Sequence, residues 1–386
     1  MRVLVLAEYY PRAGDPTLGV WAHRQTLAAR AAGAELRVLV LHRSLPPLSA
    51  VRRLDLGAAV SALRQPASVA LDGVRVDYLR YLSPPRPWSY ARWGAWAAPP
   101  LRRALRRIRR EFAFELVHAH YAVPAGDAVR RAAPNVPAVV SIHGGDVLGR
   151  HAGAPSVSAA LAHARLVLAN SAGTARRCQA LGATRTQVVH LGAELPSEPA
   201  TPPAEPLLVS VGHLIARKHH ADVIEALALL RQRWPTLRYE VVGDGPERDA
   251  LLALATARGI ADRVWLRGRL AHAEAVAVAG AATLFVLPST AEAFGVAYIE
   301  AMAAGVPAIG CAGEDGPEEI AAGGGGIELV RPRDPRALAA AIDGLLSDPA
   351  RHARLGAAAR ATVERSFTWE HCGRETVAAY AEVLGV

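Results

Sequence analysis

The chain has 386 residues, 51% of them hydrophobic and 20% charged, with a formal net charge of +9. That length exceeds what one core ordinarily organises, so two domains are expected, and the composition excludes a disordered or collagen-like chain. Cys178, Cys311 and Cys372 lie far apart, which argues against a disulfide framework or a zinc-type spacing and fits a reducing cytoplasm.

Met1-Arg2-Val3-Leu4-Val5-Leu6 reads as a first buried strand; it is too short for a signal sequence and carries no cleavage site. Short apolar runs then alternate with helix-like runs, the pattern of a parallel α/β fold. In the first half the strands are expected at 2–8, 35–42, 116–121, 138–143, 166–170 and 187–191, with 74–81 as an edge strand. In the second half they are expected at 207–212, 237–243, 264–267, 283–287, 307–311 and 326–330, and 20–32, 219–233 and 247–258 carry helical spacing. The Pro-rich polar stretch 196–206 is the clearest linker. It separates two βαβ-type halves, and ligands in such sheets bind beyond the carboxyl ends of the strands. No apolar run of 18 residues is free of Pro and charge, so no membrane span is expected. The positive charge suits nucleic acid, an anionic membrane or anionic small ligands, and Arg richness that reflects genome composition alone carries no function; no nucleic-acid motif appears, and no nucleic acid is expected.

Several segments carry candidate chemistry. Gly14-Asp15-Pro16-Thr17-Leu18-Gly19-Val20 is a Gly-containing loop between the first strand and first helix. Trp88, Tyr90, Trp93 and Trp96 precede a run whose Arg102, Arg103, Arg106, Arg107, Arg109 and Arg110 share one helical face, opposite Leu101, Leu105, Ile108 and Phe112. Such a segment is an ordinary surface helix or a dock for an anionic membrane through 88–112. His118 and His120 share a strand face, but no third metal ligand stands at a suitable spacing, so packing or a place on the acceptor side is expected and no metal. Ser141-Ile142-His143-Gly144-Gly145-Asp146 ends a strand, with Asp146 set to orient His143, to take a proton, or to cap a helix. Val211-Gly212-His213-Leu214-Ile215-Ala216-Arg217-Lys218 ends the first strand of the second half.

The most informative string is Glu292-Ala293-Phe294-Gly295-Val296-Ala297-Tyr298-Ile299-Glu300, two carboxylates with seven residues between them. An apolar run leads into Pro288-Ser289, and Ala301-Met302-Ala303-Ala304 runs into Gly305-Val306-Pro307: strand, loop, helix, Gly cap and Pro stop. Glu292 is expected in the loop and Glu300 over a turn into the helix. Gly295 lets the backbone approach a ligand, the helix N-terminus suits a phosphate, and carboxylates accept hydrogen bonds from sugar hydroxyls. Two glutamates at this spacing also occur on any solvated helix face.

The whole string from Pro288 to Pro307 closely resembles the donor-site signature of the GT4-type family of retaining, nucleotide-sugar-dependent glycosyltransferases. The resemblance implies a GT-B fold, two Rossmann-like domains facing across a cleft. Residues 1–197 would bind the acceptor, 204–366 the donor, and a terminal helix in 367–386 would cross back onto the first domain. It implies that Glu292 binds sugar hydroxyls, that Phe294, Gly295 and Val296 offer backbone N–H groups, and that Glu300 holds the ribose. His143 would face the donor sugar at its reacting centre, Lys218 would contact phosphate, and Gly19 would meet acceptor and donor phosphate. The family often has Arg where this chain has His213, a departure that Arg217 would compensate. A GT-B enzyme draws the needed charge from side chains and helix ends, so no cofactor is expected beyond the nucleotide sugar. The acceptor would be lipid-linked or a small hydroxyl compound, in bacterial cell-surface polysaccharide or glycolipid synthesis, with the enzyme cytoplasmic or peripheral on the inner membrane face. The alternatives are glycosylation of a soluble metabolite, a nucleotide-sugar 2-epimerase of the same architecture, and a non-catalytic partner subunit.

Overall fold

The computed structural model describes residues 1–45, 57, 64–201 and 203–386, so Pro202 of the expected linker lies outside the described residues. The chain divides into two compact units, Met1–Leu191 with Trp369–Val386, and Gly192–Thr368. Both are α/β.

The first unit is built on eight strands: β1 (Arg2–Ala7), β2 (Glu35–Arg43), β3 (Ser68–Leu71), β4 (Val74–Tyr81), β5 (Leu116–His120), β6 (Ala138–Ile142), β7 (Leu166–Ala169) and β8 (Thr186–Val188). Their order in the sheet is β3-β4-β2-β1-β5-β6-β7-β8. All pairs are parallel except the hairpin β3–β4. The segment 74–81 is therefore not an edge. β3 covers it, turned back through Asp72-Gly73, both at positive φ as a tight hairpin demands. Val3, Leu4, Val5, Leu6 and Ala7 are all buried, because a parallel sheet is covered by helices on both faces. Burying each large apolar side chain contributes about 1.5–3 kcal/mol.

The last helix, Trp369–Leu384, belongs to this unit and packs against the helix Val20–Ala31. Gln25 Nε2 donates to Thr376 Oγ1 at 3.1 Å, and the Tyr380 hydroxyl lies 2.7 Å from His118 Nδ1.

The second unit is built on β9 (Leu207–Val211), β10 (Arg238–Val242), β11 (Val264–Gly268), β12 (Leu284–Val286), β13 (Ala308–Cys311) and β14 (Ile327–Val330). The order is β11-β10-β9-β12-β13-β14, parallel throughout. The stretch that enters it is pinned by its backbone: Ala193 N–H donates to Phe367 O at 2.8 Å, Ala200 N–H to Ala304 O at 2.9 Å, and Arg360 Nη2 to Pro196 O at 2.6 Å. In each sheet the order reverses beside the first strand, β1 or β9. The loops after the strands there open at the carboxyl edge, where ligands bind in such folds.

The basic helix spans Trp93–Glu111. Leu101, Leu105 and Ile108 are buried in the core, and the six arginines stand on the exposed face. Trp93 and Tyr90 are also buried, and Trp93 Nε1 donates to Ser89 Oγ at 2.9 Å. This corrects the expectation that Trp93 is an interfacial aromatic: an indole whose N–H has an internal partner and whose ring lies in the core stays inside. Trp88 and Trp96 are 74% and 50% exposed. No described helix is long and apolar enough to cross a membrane.

Candidate active site

In the second unit two loops meet. β9 runs into 212–219, and β12 runs into 287–295 ahead of the helix Val296–Ala303. Thr290 N–H donates to Arg217 O at 2.8 Å, which ties one loop to the other. Glu292 sits at the junction and is 8% exposed. Its Oε2 lies 2.5 Å from Lys218 Nζ and 4.0 Å from Arg217 Nη1, and it accepts from Ser289 Oγ at 2.8 Å. Its N–H donates to Glu314 Oε2 at 2.8 Å. Burial alone would raise the Glu292 carboxyl. The Lys218 ammonium, by charge and hydrogen bond, and then Arg217 and Ser289, hold it below its ordinary range. It is therefore an anion at neutral pH, locked beside two cations.

Gly295 caps the helix Val296–Ala303 at φ +89°, and a Cβ there would stand 2.4 Å from Tyr298 Cδ2, so only glycine fits. The first N–H groups of that helix, from Val296 onward, have no partner within it, which leaves a positive end beside Glu292. The Phe294 ring is not at a surface. It is buried edge-on against Phe367, with centroids 5.5 Å apart, so only its backbone is available to a ligand. Glu300 lies on the same helix, with His272 Nε2 2.8 Å from its Oε1, and it helps line a cavity of about 410 Å³. The His213 side chain is exposed on the β9 loop, while its carbonyl accepts from His220 Nε2 at 3.3 Å.

In the first unit Gly19, at φ +66°, starts the helix Val20–Ala31; a Cβ there would lie 2.3 Å from the Tyr9 carbonyl carbon. His120 ends β5 and His143 follows β6. Their rings are nearly coplanar, 5° apart, with His120 Nδ1 3.0 Å from His143 Nε2, so one ring donates to the other edge-on. Whichever donates, His120 Nε2 and His143 Nδ1 remain buried without a partner among the described residues. Burial pushes His143 down to about 3 and His120 well below its ordinary value, so both are neutral. His118, its ring tilted against that of His120 with centroids 4.5 Å apart, is held between the Tyr380 hydroxyl and Ser141 Oγ, each at 2.7 Å. It serves packing rather than a ligand. Asp146 is buried, and burial raises its carboxyl to about 8 against the Val123 and Ala122 N–H groups that stabilise its anion. Its Oδ2 has no partner among the described residues.

The structure thus brings Lys218, Arg217 and Glu292 together, and separately His120 with His143. Glu300 stands apart from Glu292 in a pair of its own. Ser289, Glu314 and His272 were not anticipated. Ser289 stands three residues before Glu292, a readable spacing; Glu314 and His272 are brought in by chain reversal and leave no local mark.

The carboxyl-edge loops of two Rossmann-like units, one carrying a lysine–glutamate pair behind a glycine-capped helix, define a glycosyltransferase of the GT-B fold. Residues 18–195 match the family description "Glycosyltransferase Family 4" and residues 193–362 match "Glycosyl transferases group 1". The chain belongs to this GT4-type, group 1 glycosyltransferase family. It is 29% identical over 411 residues to the glycogen synthase of Mycobacterium tuberculosis, covering 98% of this chain and 94% of that protein. It is 31% identical over 175 residues to a GDP-mannose-dependent monoacylated alpha-(1-6)-phosphatidylinositol monomannoside mannosyltransferase of Corynebacterium glutamicum, covering 44% of this chain and 45% of that one. Among solved structures it resembles sucrose-phosphate synthase from Thermosynechococcus elongatus, with TM-score 0.78, 22% identity and full coverage of both chains. It also resembles Anabaena HepE in complex with UDP and glucose, with TM-score 0.71, 20% identity, and coverage of 99% of this chain and all of that one.

Proposed function

We propose that the enzyme moves a sugar from a nucleoside-diphosphate sugar to a hydroxyl acceptor with retention at the anomeric carbon. The observation that carries this is the convergence of Lys218, Arg217 and Ser289 on Glu292 beside the amino end of Val296–Ala303. Bond cleavage at C1 leaves negative charge on the diphosphate. Fixed cations and a helix N-terminus stabilise that charge more in the transition state than in the ground state. On arrival of the donor, Lys218 and Arg217 turn to the phosphates and Glu292 accepts from sugar hydroxyls. Glu300 exchanges His272 for the ribose, and Phe294, Gly295 and Val296 offer backbone N–H groups. These side chains supply the positive charge that the leaving group needs, so the chemistry as we read it calls on no metal. The first unit, with Gly19, His120, His143 and Asp146, takes the acceptor side, and by the family resemblance His143 serves the reacting end of the donor sugar.

A thermal-shift screen of nucleotides and nucleotide sugars tests the reading, since a ligand of the native state raises its stability. One nucleoside diphosphate should stabilise the protein, and its sugar conjugate should release that nucleotide only with acceptor present. NMR of the product should show the donor's anomeric configuration. Stabilisation by no nucleotide would overturn the assignment.

A membrane-borne acceptor is favoured by exposed apolar side chains, Leu82, Trp88 and Trp96, 64%, 74% and 50% exposed, in the segment that leads into and begins the helix Trp93–Glu111 with its arginine face. Aromatic rings beside a basic amphipathic helix suit the interface of an anionic leaflet. That arrangement would place the enzyme on the inner face of the membrane, in glycolipid or cell-surface polysaccharide synthesis.

A further inference from the structure

Arg86 has no part in the donor chemistry, yet its guanidinium is held as few surface arginines are. It lies 4.0 Å from the centroid of the Tyr90 ring, 5.3 Å from that of Tyr9 and 5.8 Å from that of Trp93. Its Nη1 stands 3.7 Å from Glu8 Oε1, beyond hydrogen-bond range, and 46% of the side chain is exposed. A planar fork stacked on rings has already lost the rotamer freedom that binding would otherwise cost.

Glu8 follows β1 and is buried, with Tyr90 Oη 3.0 Å from its Oε2. Arg86, Arg12 and Arg43 all bear on it in that order, and burial raises it against them. Tyr9 and Asp146 also feel this group, and Arg12 faces Asp15 as well. With Asp146 neutral at pH 7, three arginine charges stand against two carboxylates, and the local balance is positive. The Arg12 Nε is buried without a partner among the described residues, a donor the fold leaves open.

The fork is also close to the proposed chemistry. Arg86 to Tyr9, Tyr9 to Tyr121, and Tyr121 to His143 are three steps of 5.3, 5.0 and 5.3 Å along the same carboxyl edge of the sheet.

We propose that Arg86 is the anion-recognising residue of the acceptor subsite, and that the acceptor carries a phosphate or carboxylate close to the hydroxyl that is glycosylated. The proposal rests on the reading of the first unit as the acceptor side. The stacked fork takes the anion through paired N–H donors, the geometry in which arginine outperforms lysine. Arg12 and Arg43 contribute charge rather than contact. A soluble sugar phosphate or sugar acid and the phosphate of a lipid headgroup present the same chemistry to this fork.

Binding of inorganic sulfate, read by thermal shift without any donor, tests the site apart from the transfer reaction. Sulfate should stabilise the wild type and the Lys218→Met/Glu292→Gln variant saturably; in that variant, whose donor phosphate site is disabled, adding Arg86→Gln should abolish the effect, and Arg86→Lys should restore part of it. The nucleotide-induced shift should persist in Arg86→Gln and so report a folded second unit. If that variant fails to fold because Glu8 is left unpaired, the double variant Glu8→Gln/Arg86→Gln removes both halves of the pair and should show the same loss. With glucose 6-phosphate as competitor the loss of affinity should be about tenfold to a hundredfold, the range of a charge-assisted hydrogen bond. Competition by glucose 6-phosphate but not by phosphatidic acid vesicles assigns a soluble anion; the reverse assigns a lipid-borne one. An equal sulfate effect with and without Arg86→Gln in the Lys218→Met/Glu292→Gln variant, or glucose competing as well as glucose 6-phosphate, would overturn the proposal. A failure of nucleotide binding would sink the donor reading and leave the sulfate result standing.

Discussion

Lys218 Nζ and Glu292 Oε2 are 2.5 Å apart in a site where both side chains are about one-tenth exposed, so the loops after β9 and β12 hold each other through a buried ion pair. Removing one partner leaves an uncompensated buried charge, which typically costs about 3–5 kcal/mol, whereas removing both is far milder. Lys218→Ala and Glu292→Gln should therefore each lower the urea midpoint at pH 7. The double variant Lys218→Met/Glu292→Gln should recover much of the stability but none of the activity. Recovery of turnover with recovery of stability would mean that the pair only supports the fold. The pair also gives a pH signature. Because the Glu292 carboxyl is depressed in the folded state, its stabilisation is fully present above its ordinary value of 4.5. It is lost as pH falls through the lower folded value, so the stability gap between wild type and Glu292→Gln should close in that range.

Glu300 and His272 make a second, separate pair at 2.8 Å. If the ribose hydroxyls take over the carboxylate, Glu300→Gln should weaken nucleotide binding by about 1.5–3 kcal/mol without unfolding the protein. His272→Ala should change it less, since the imidazole orients the carboxylate and does not itself hold the nucleotide. Calorimetry on both folded variants checks this; unchanged affinity in Glu300→Gln would remove the residue from the site.

What could be read in advance divides along physical lines. Runs such as 2–8 and 207–212 were legible as strands because a parallel sheet buried on both faces needs uninterrupted apolar sequence. β3 was missed although Asp72-Gly73 announces its hairpin: its four residues alternate in exposure and its apolar run is only three residues long. The exclusion of Trp93 from the surface was not legible either, since it depends on Ser89 and Pro84 meeting its indole N–H. In the site, the Lys218–Glu292 contact joins two loops far apart in sequence, as do His120 with His143 and Glu8 with Arg86. Residue types and loop positions can be read along the chain. Which charges neutralise one another depends on strand order, which places β12 directly beside β9.

His220 offers a clean test of burial in the second unit. It is fully buried, its Nε2 donates to the His213 carbonyl, and burial lowers its pKa from 6.5 to about 4. A histidine that is neutral when folded binds fewer protons than the unfolded chain below pH 6.5. Its contribution to stability is then complete above about 6.5 and falls by about 1.4 kcal/mol per pH unit down to about pH 4. The stability difference between wild type and His220→Asn, measured by urea denaturation from pH 7.5 to 4.5, should shrink with that slope. A difference independent of pH would show that the ring titrates in the folded state as it does in water.

The surface formed by Trp88, Trp96 and the arginines of Trp93–Glu111 decides between the two kinds of acceptor. Each arginine near an anionic leaflet gains about 1 kcal/mol, and the attraction fades as salt shortens the screening length. The protein should float with anionic vesicles at low salt and much less at high salt, and it should ignore zwitterionic ones. Trp88→Ala and Trp96→Ala should weaken flotation, because these rings are exposed and free to insert. Trp93→Ala should instead destabilise the fold by about 3–5 kcal/mol, the usual cost of emptying a buried aromatic site. Absence of flotation on anionic vesicles at low salt would leave the helix as an ordinary solvated face and direct the search to soluble acceptors.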